Sequence, residues 1–364
     1  MAQHLAEKIS WLIVDLRTLF ALVDLIEHDL EKRIVGRHVF VKIDALLHLL
    51  PRLKNDFRAN GAHVENLEGI IVQLRKDYEN SSMKLLRDAL SGHSLKLDLA
   101  QLNDAWRFMC KSTFGVLSLD INYIESELVR VAGVSHVLAG CAQVNSNWQA
   151  EWRRSAMLGD PSNPRFAVIY PGIGTANIAT LIPTNHPTQD PMVRVAGLCT
   201  FLRQVRIMLE VTDPASVAER LFTEIMVIDY FALWEVLFRS DIRNDYGDID
   251  RCLLDHWRSG PNPMAGATCL AQLQRNPHPN FEDWRQKVRN RVAAHVDAGI
   301  SIQDMDIAYW PMSCGDVINE CLRVVQALVQ CAGMDIRTAA VMKRPQSING
   351  IVGLAGQDGL GWEQ

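Results

Sequence analysis

A histidine titrates near neutrality and can take or give a proton, while an arginine stays charged and grips an oxyanion through two parallel N–H groups. Placed a short, fixed distance apart, the two residue types suit proton transfer beside a phosphate or a carboxylate. The chain carries such a pairing twice. Arg87 is followed directly by Asp88 and, six positions on, by His93; Arg289 is followed by Asn290 and then His295. The same interval separates Arg87 from Arg289 and His93 from His295, and it also separates Gln101 from Gln303 and Asp104 from Asp306. About one Arg-x5-His is expected by chance in a chain of this composition, and Arg130 with His136 is such a case. Val131 follows Arg130, however, so the polar residue after the arginine is missing there. Two copies that keep that residue and share their spacing point to an internal repeat.

Six residues on an α-helix turn through about 600°, which leaves two side chains about 120° apart. Arginine and histidine therefore converge only where a helix bends or ends between them. Gly92 stands before His93, and Gly299 follows His295, so each histidine is expected where a helix gives way to a turn. The alternative role for these residues is structural, with arginine and histidine satisfying the last carbonyls of a helix. Arg285, Lys287 and Arg291 surround the second copy as a basic face for RNA or as the ordinary solvated side of a helix.

Helices have to position these residues. Apolar residues recur at steps of three and four from Ile9 to Ile26, from Val39 to Leu50, and from Leu67 through Tyr78 to Leu86. Pro51 is expected to kink or end the second of these helices, and Asn60-Gly61 marks a turn. Beside that turn, Arg58 and His63 read as surface residues. Further helical patterns cover Leu97–Met109 and Ile121–Val131, which makes the first half an antiparallel bundle of four or five helices. His28, His38 and His48 recur every ten residues, off any single helical face, and read as surface or core-edge residues and not as metal ligands.

Six prolines between Gly159 and Pro191 rule out a continuous helix there, so 151–191 reads as an ordered connector. Within it Arg165–Tyr170 suits a short strand. Gly172-Ile173-Gly174 is a poor phosphate loop, because no helix pattern follows it. Helical spacing returns from Val195 to Leu209. Asp213-Pro214 offers an N-cap and a first turn for a helix through Leu221 and Leu237, and Val317–Val329 closes the second bundle. The expected division is a helical bundle over 1–150, the connector, a second bundle over 192–335, and a glycine-rich tail over 336–364.

The 364 residues are enough for two cores, and 48% hydrophobic with 22% charged residues describes a globular chain. The eight cysteines include no C-x-x-C pair, as expected of reduced thiols inside a cell. The first residues lack a signal-peptide pattern and no apolar run reaches a bilayer's thickness, so a cytoplasmic location and no membrane partner are expected. A net charge of −5 gives no global attraction to nucleic acid, although arginine outnumbers lysine.

Arg-(Asp/Asn)-x4-His at a helix end in a small all-α bundle resembles the HEPN superfamily of ribonucleases, common among bacterial toxins and antiphage defence proteins. The resemblance covers both halves and not the connector. It implies an all-α fold of two HEPN-like antiparallel bundles in tandem, forming within one chain the dimer that the family builds from two. It also implies a composite site in which Arg87, His93, Arg289 and His295 are catalytic and Asp88 and Asn290 support them. The implied activity is metal-independent endoribonuclease cleavage with no cofactor, and the implied partners are an RNA substrate, an antitoxin or activator protein, and a further copy of the chain. Two other readings stay open: a non-catalytic interaction protein using the same paired surface, and a nucleotide-binding module.

Overall fold

The computed structural model describes residues 2–26, 29–79, 83–87, 111–132, 216–238 and 278–293, together with shorter pieces within 202–212, 242–271 and 315–324. Apart from a two-residue antiparallel ladder, in which Ile242 faces Asp250 and Arg243 faces Ile249, the extended elements are helical. They are α1 (Ala2–Leu25), α2 (Asp29–Ala59), α3 (Glu65–Glu79), α4 (Met83–Leu86), α5 (Lys111–Ala132), α6 (Val217–Phe238) and α7 (Phe281–Asp283), the last running into a π-helix over Trp284–Ala293. No described helix is long and apolar enough to cross a membrane.

In the first half, α1 packs on α2, α2 on α3, α3 on α5, and α5 back on α1, which closes a four-helix ring. Leu12, Leu16 and Leu19 of α1, Leu46 and Leu50 of α2, Leu67 and Leu74 of α3, and Leu117 and Ile121 of α5 are fully buried, as their spacing predicts. Phe114 fixes three of the helices together, with its ring 6.3 Å from Phe20 and 6.0 Å from Phe40. The turn at Asn60-Gly61 is present: Gly61 adopts φ 79°, its amide donates to the Arg58 carbonyl, and the Ala62 amide donates to Phe57. His63 is exposed there, and Arg58 pairs instead with Glu68 at 2.6 Å.

Three local expectations are corrected. Pro51 does not end helix α2, which runs through it to Ala59. Proline at 51 removes the amide that would bond the Leu47 carbonyl, and Arg75 of α3 donates to that carbonyl at 3.5 Å. Helix α6 begins at Val217, capped by Ser216, whose hydroxyl accepts the Glu219 amide at 3.1 Å. Asp213 and Pro214 fall outside the described residues. His38 is neither surface nor core-edge but fully enclosed, whereas His48 is exposed as expected. Also outside the described residues are His28, Leu97–Met109, the connector and the tail from 336.

Helix α6 is buried on every side from Leu221 to Leu233, the pattern of a helix with no solvent face. It packs on α1 and α2 from one direction and receives the π-helix from another. Phe281 seats the start of that last segment, its ring 4.8 Å from Trp234 and 5.1 Å from Phe231. Trp284 is buried behind it, stacked on His278 at 4.2 Å. Aromatic pairs of this kind contribute about 0.5–1.5 kcal/mol each beyond their buried area.

Candidate functional site

Arg87 directly follows α4 and is itself π-wound. Helix α4 lies against α2 and α3, and those two helices supply what holds the arginine. Asp44 of α2 places its Oδ2 3.3 Å from Arg87 Nε, while the Tyr78 hydroxyl of α3 donates to Asp44 Oδ1 at 3.1 Å. Only 12% of the Arg87 side chain and 14% of Asp44 remain exposed, so the pair is screened less than a surface ion pair.

The second copy has the same kind of setting with different partners. Arg289 lies in the π-helix, half-buried, and its Nη1 donates to the Asn290 side-chain carbonyl at 2.9 Å. The expected supporting residue of this copy is thus in contact with its arginine. The segment is π-wound where the motif was expected at the end of an α-helix. Its i→i+5 winding sets Trp284 and Val288 on the buried side against α6 and leaves Arg285, Gln286 and Lys287 exposed. π-Helical turns are uncommon and concentrate at functional sites.

Arg285 and Lys287, the expected RNA contacts, are exposed and ion-paired within their own segment, with Glu282 at 2.8 Å and Asp283 at 3.0 Å. Such pairs are worth about 0–1 kcal/mol, so an incoming phosphate competes with them easily. Asp88, His93, His295 and the Arg291 side chain lie outside the described residues.

Sequence reasoning passed over a second polar constellation, buried where α1 and α2 meet α6. Lys42 Nζ stands 3.0 Å from Asp15 and 2.5 Å from Glu224. Arg220 bridges the same two carboxylates, bonding Asp15 and, at 2.9 Å, Glu224. His38 Nε2 is 3.1 Å from Glu224 Oε2. Arg37 pairs with Asp229 alongside, and the Trp11 ring lies 4.5 Å from the Arg220 guanidinium. Burial pushes the Glu224 carboxyl up, but Lys42, His38 and Arg220 outweigh it and hold the group well below the usual carboxylate range. Burial also lowers the His38 imidazole, against the opposing pull of Glu224. These groups are charge-balanced when His38 is neutral: two carboxylates face one ammonium and one guanidinium. Among the described residues no group of three or more His, Cys, Asp or Glu side chains is placed to hold a metal ion.

A signal for this network was available. Glu224 and Asp229 are the only charged residues between Leu221 and Leu233, and Asp15 interrupts the apolar face of α1. A charge on the buried face of a helix requires a buried partner. Comparison of the chain with protein families, with curated proteins and with solved structures gives no match.

Proposed function

We propose that the chain is a metal-independent endoribonuclease of HEPN type, with its composite site assembled from the two arginine–histidine motifs. One observation carries the reading. Each motif arginine is π-wound, at least half-buried and paired with a polar neighbour, on a segment packed against the long helix of its own half. Those long helices, α2 and α6, meet each other through His38, Lys42 and Glu224. A repeat that kept both motifs and brought its halves together would present two arginines and two histidines to one substrate.

The chemistry follows from the residue types. One histidine takes the proton of an RNA 2′-hydroxyl, and that oxygen attacks the adjacent phosphorus. Arg87 and Arg289 bond the equatorial oxygens as charge builds on the phosphorane. The bond to the 5′-oxygen breaks, and the other histidine supplies the proton to that leaving group. The products are a 2′,3′-cyclic phosphate and a 5′-hydroxyl. Asp44 and Asn290 orient the arginines. A role in toxin or antiphage defence belongs to the same proposal, through the family resemblance.

The test is incubation of the purified full chain with mixed RNA in EDTA. Cleavage that leaves cyclic-phosphate ends and disappears in His93→Ala and His295→Ala supports the reading. Intact RNA, or cleavage that EDTA abolishes, overturns it. The second reading, a non-catalytic interaction protein, is favoured by the ion pairs that engage Arg285, Lys287 and Arg87 within the fold.

A further inference from the structure

We propose that the outer surface of α2, α3 and α4 around Arg87 is a phosphate lane that holds the backbone of a single RNA strand; its assignment to RNA rests on the ribonuclease reading above. Exposed basic residues of the described chain fall into two groups. Arg58, Arg130, Arg285 and Lys287 are each paired with a nearby carboxylate, at 2.6 to 3.0 Å. Arg52, Arg75, Lys76 and Lys84 are exposed too, and among the described residues none of them has a carboxylate partner. All four stand on the helices that hold Arg87: Arg52 on α2, Arg75 and Lys76 on α3, Lys84 on α4. A cation already held by a carboxylate must exchange one anion for another, whereas an unpaired one gains the whole attraction of a phosphate. With a net charge of −5 the chain as a whole repels a polyanion, so binding depends on such a local concentration of positive charge.

Contacts within the fold set these cations beside the motif arginine. Arg87 Nε stands 3.3 Å from Asp44 Oδ2, and His48, one turn further along α2, donates its Nδ1–H to the Asp44 carbonyl at 2.8 Å. That bond turns Nε2 outward on an imidazole that is 71% exposed. Arg52 follows one turn beyond His48 on the same helical face. Arg75 reaches across from α3 to the Leu47 carbonyl at 3.5 Å, and Lys84 lies three residues before Arg87. From Asp44 to Arg52 the helix rises about 12 Å, the length of about three or four stacked nucleotides. The carboxylates of this corner are largely engaged: Asp44 holds Arg87 and accepts from Tyr78, and Glu68 is shared by Lys54 and Arg58. Glu79, next to Tyr78, is exposed and offsets one of the positive charges. A strand lying along this corner would run past Arg87 with its phosphates against the arginines, whose guanidinium groups match phosphate oxygens two at a time.

The test uses the full chain and a labelled oligodeoxythymidine, which lacks the 2′-hydroxyl and so is bound without being cut. Fluorescence anisotropy over a salt series should show log affinity falling with log salt at a slope of about −3, as four phosphate contacts to a single strand predict. Arg75→Gln combined with Lys84→Gln should weaken binding about tenfold and flatten that slope by about 1.4, with helical circular dichroism unchanged. Arg130→Gln, on α5 and outside the lane, should change neither affinity nor slope. A wild-type chain that does not bind the strand overturns the proposal, as does binding that the double variant leaves intact or that Arg130→Gln weakens as much. Tighter binding of polyglutamate than of the strand would assign the surface to an acidic protein and overturn it as well. The ribonuclease reading fails separately: a chain that shows the expected losses on the deoxy strand but leaves RNA intact keeps the phosphate lane and is no ribonuclease.

Discussion

Asp44 is held by Tyr78 on one oxygen and sits against Arg87 Nε with the other, which makes it a position outside the motif that fixes where the first arginine points. Its replacement by Asn keeps the shape and removes the charge. If RNA cleavage runs through Arg87, Asp44→Asn should lower kcat by about tenfold to 100-fold with little change in KM, because a displaced group is felt mainly in the transition state. Arg87→Ala and Arg289→Ala should each cost about 100-fold to 1,000-fold, the usual loss for a donor that stabilises developing charge. Steady-state kinetics on a defined RNA separate the two kinds of effect; equal losses in KM would assign Asp44 to substrate binding. The motif arginines were legible in the sequence because type and spacing recur. Asp44 was not, because its link to Arg87 spans more than a whole helix and exists only once α2 and α3 are folded together.

Among the elements, helix periods were legible wherever one face is buried, which covers α1, α2, α3 and α5. Their ends and local winding were less so. Asp213-Pro214 has the chemistry of a helix start, but Ser216 followed by Glu219 has it too, and the Ser216 hydroxyl makes the bond. Ser216→Ala should therefore destabilise the fold by about 1 kcal/mol, read as a lowered urea midpoint at unchanged slope; no change would mean that another group takes the Glu219 amide. Pro51 illustrates the opposite case. A proline usually ends a helix through the hydrogen bond it removes and the clash it creates. Here buried Leu49, Leu50 and Leu53 hold α2 together on both sides of it, and Arg75 takes up the abandoned carbonyl. The π-winding of Trp284–Ala293 leaves no trace in an apolar period, since only Trp284 and Val288 among its described side chains are buried.

At the scale of the molecule, the buried network joins α1 and α2 to a helix distant in sequence, with Glu224 lying 186 residues beyond His38. Removing one member strands its partners: Lys42→Met leaves Asp15 and Glu224 with one cation fewer and should destabilise the protein by about 3–5 kcal/mol. The network also sets the pH response. Burial lowers His38 below its ordinary value of 6.5, so between that value and the folded one the unfolded chain holds more protons. Stability is complete above 6.5 and falls as acid is added through the interval below it. Glu224, held low by Lys42, His38 and Arg220, adds a second loss beginning below about 4.5. His38→Gln, which can still donate to Glu224, should flatten the dependence just below pH 6.5 in urea titrations. An unaltered slope would place the proton uptake elsewhere.

The proposed composite site reaches its most direct test in RNA cleavage by variants of both motif copies. Purified wild-type chain, Arg87→Ala, Arg289→Ala, His93→Ala and His295→Ala are incubated with the same RNA in EDTA, and the ends of the products are identified. A composite site predicts 2′,3′-cyclic phosphate ends from the wild type and a large loss from a substitution in either copy. Undiminished cleavage by all four variants, or no cleavage by the wild type, would contradict it.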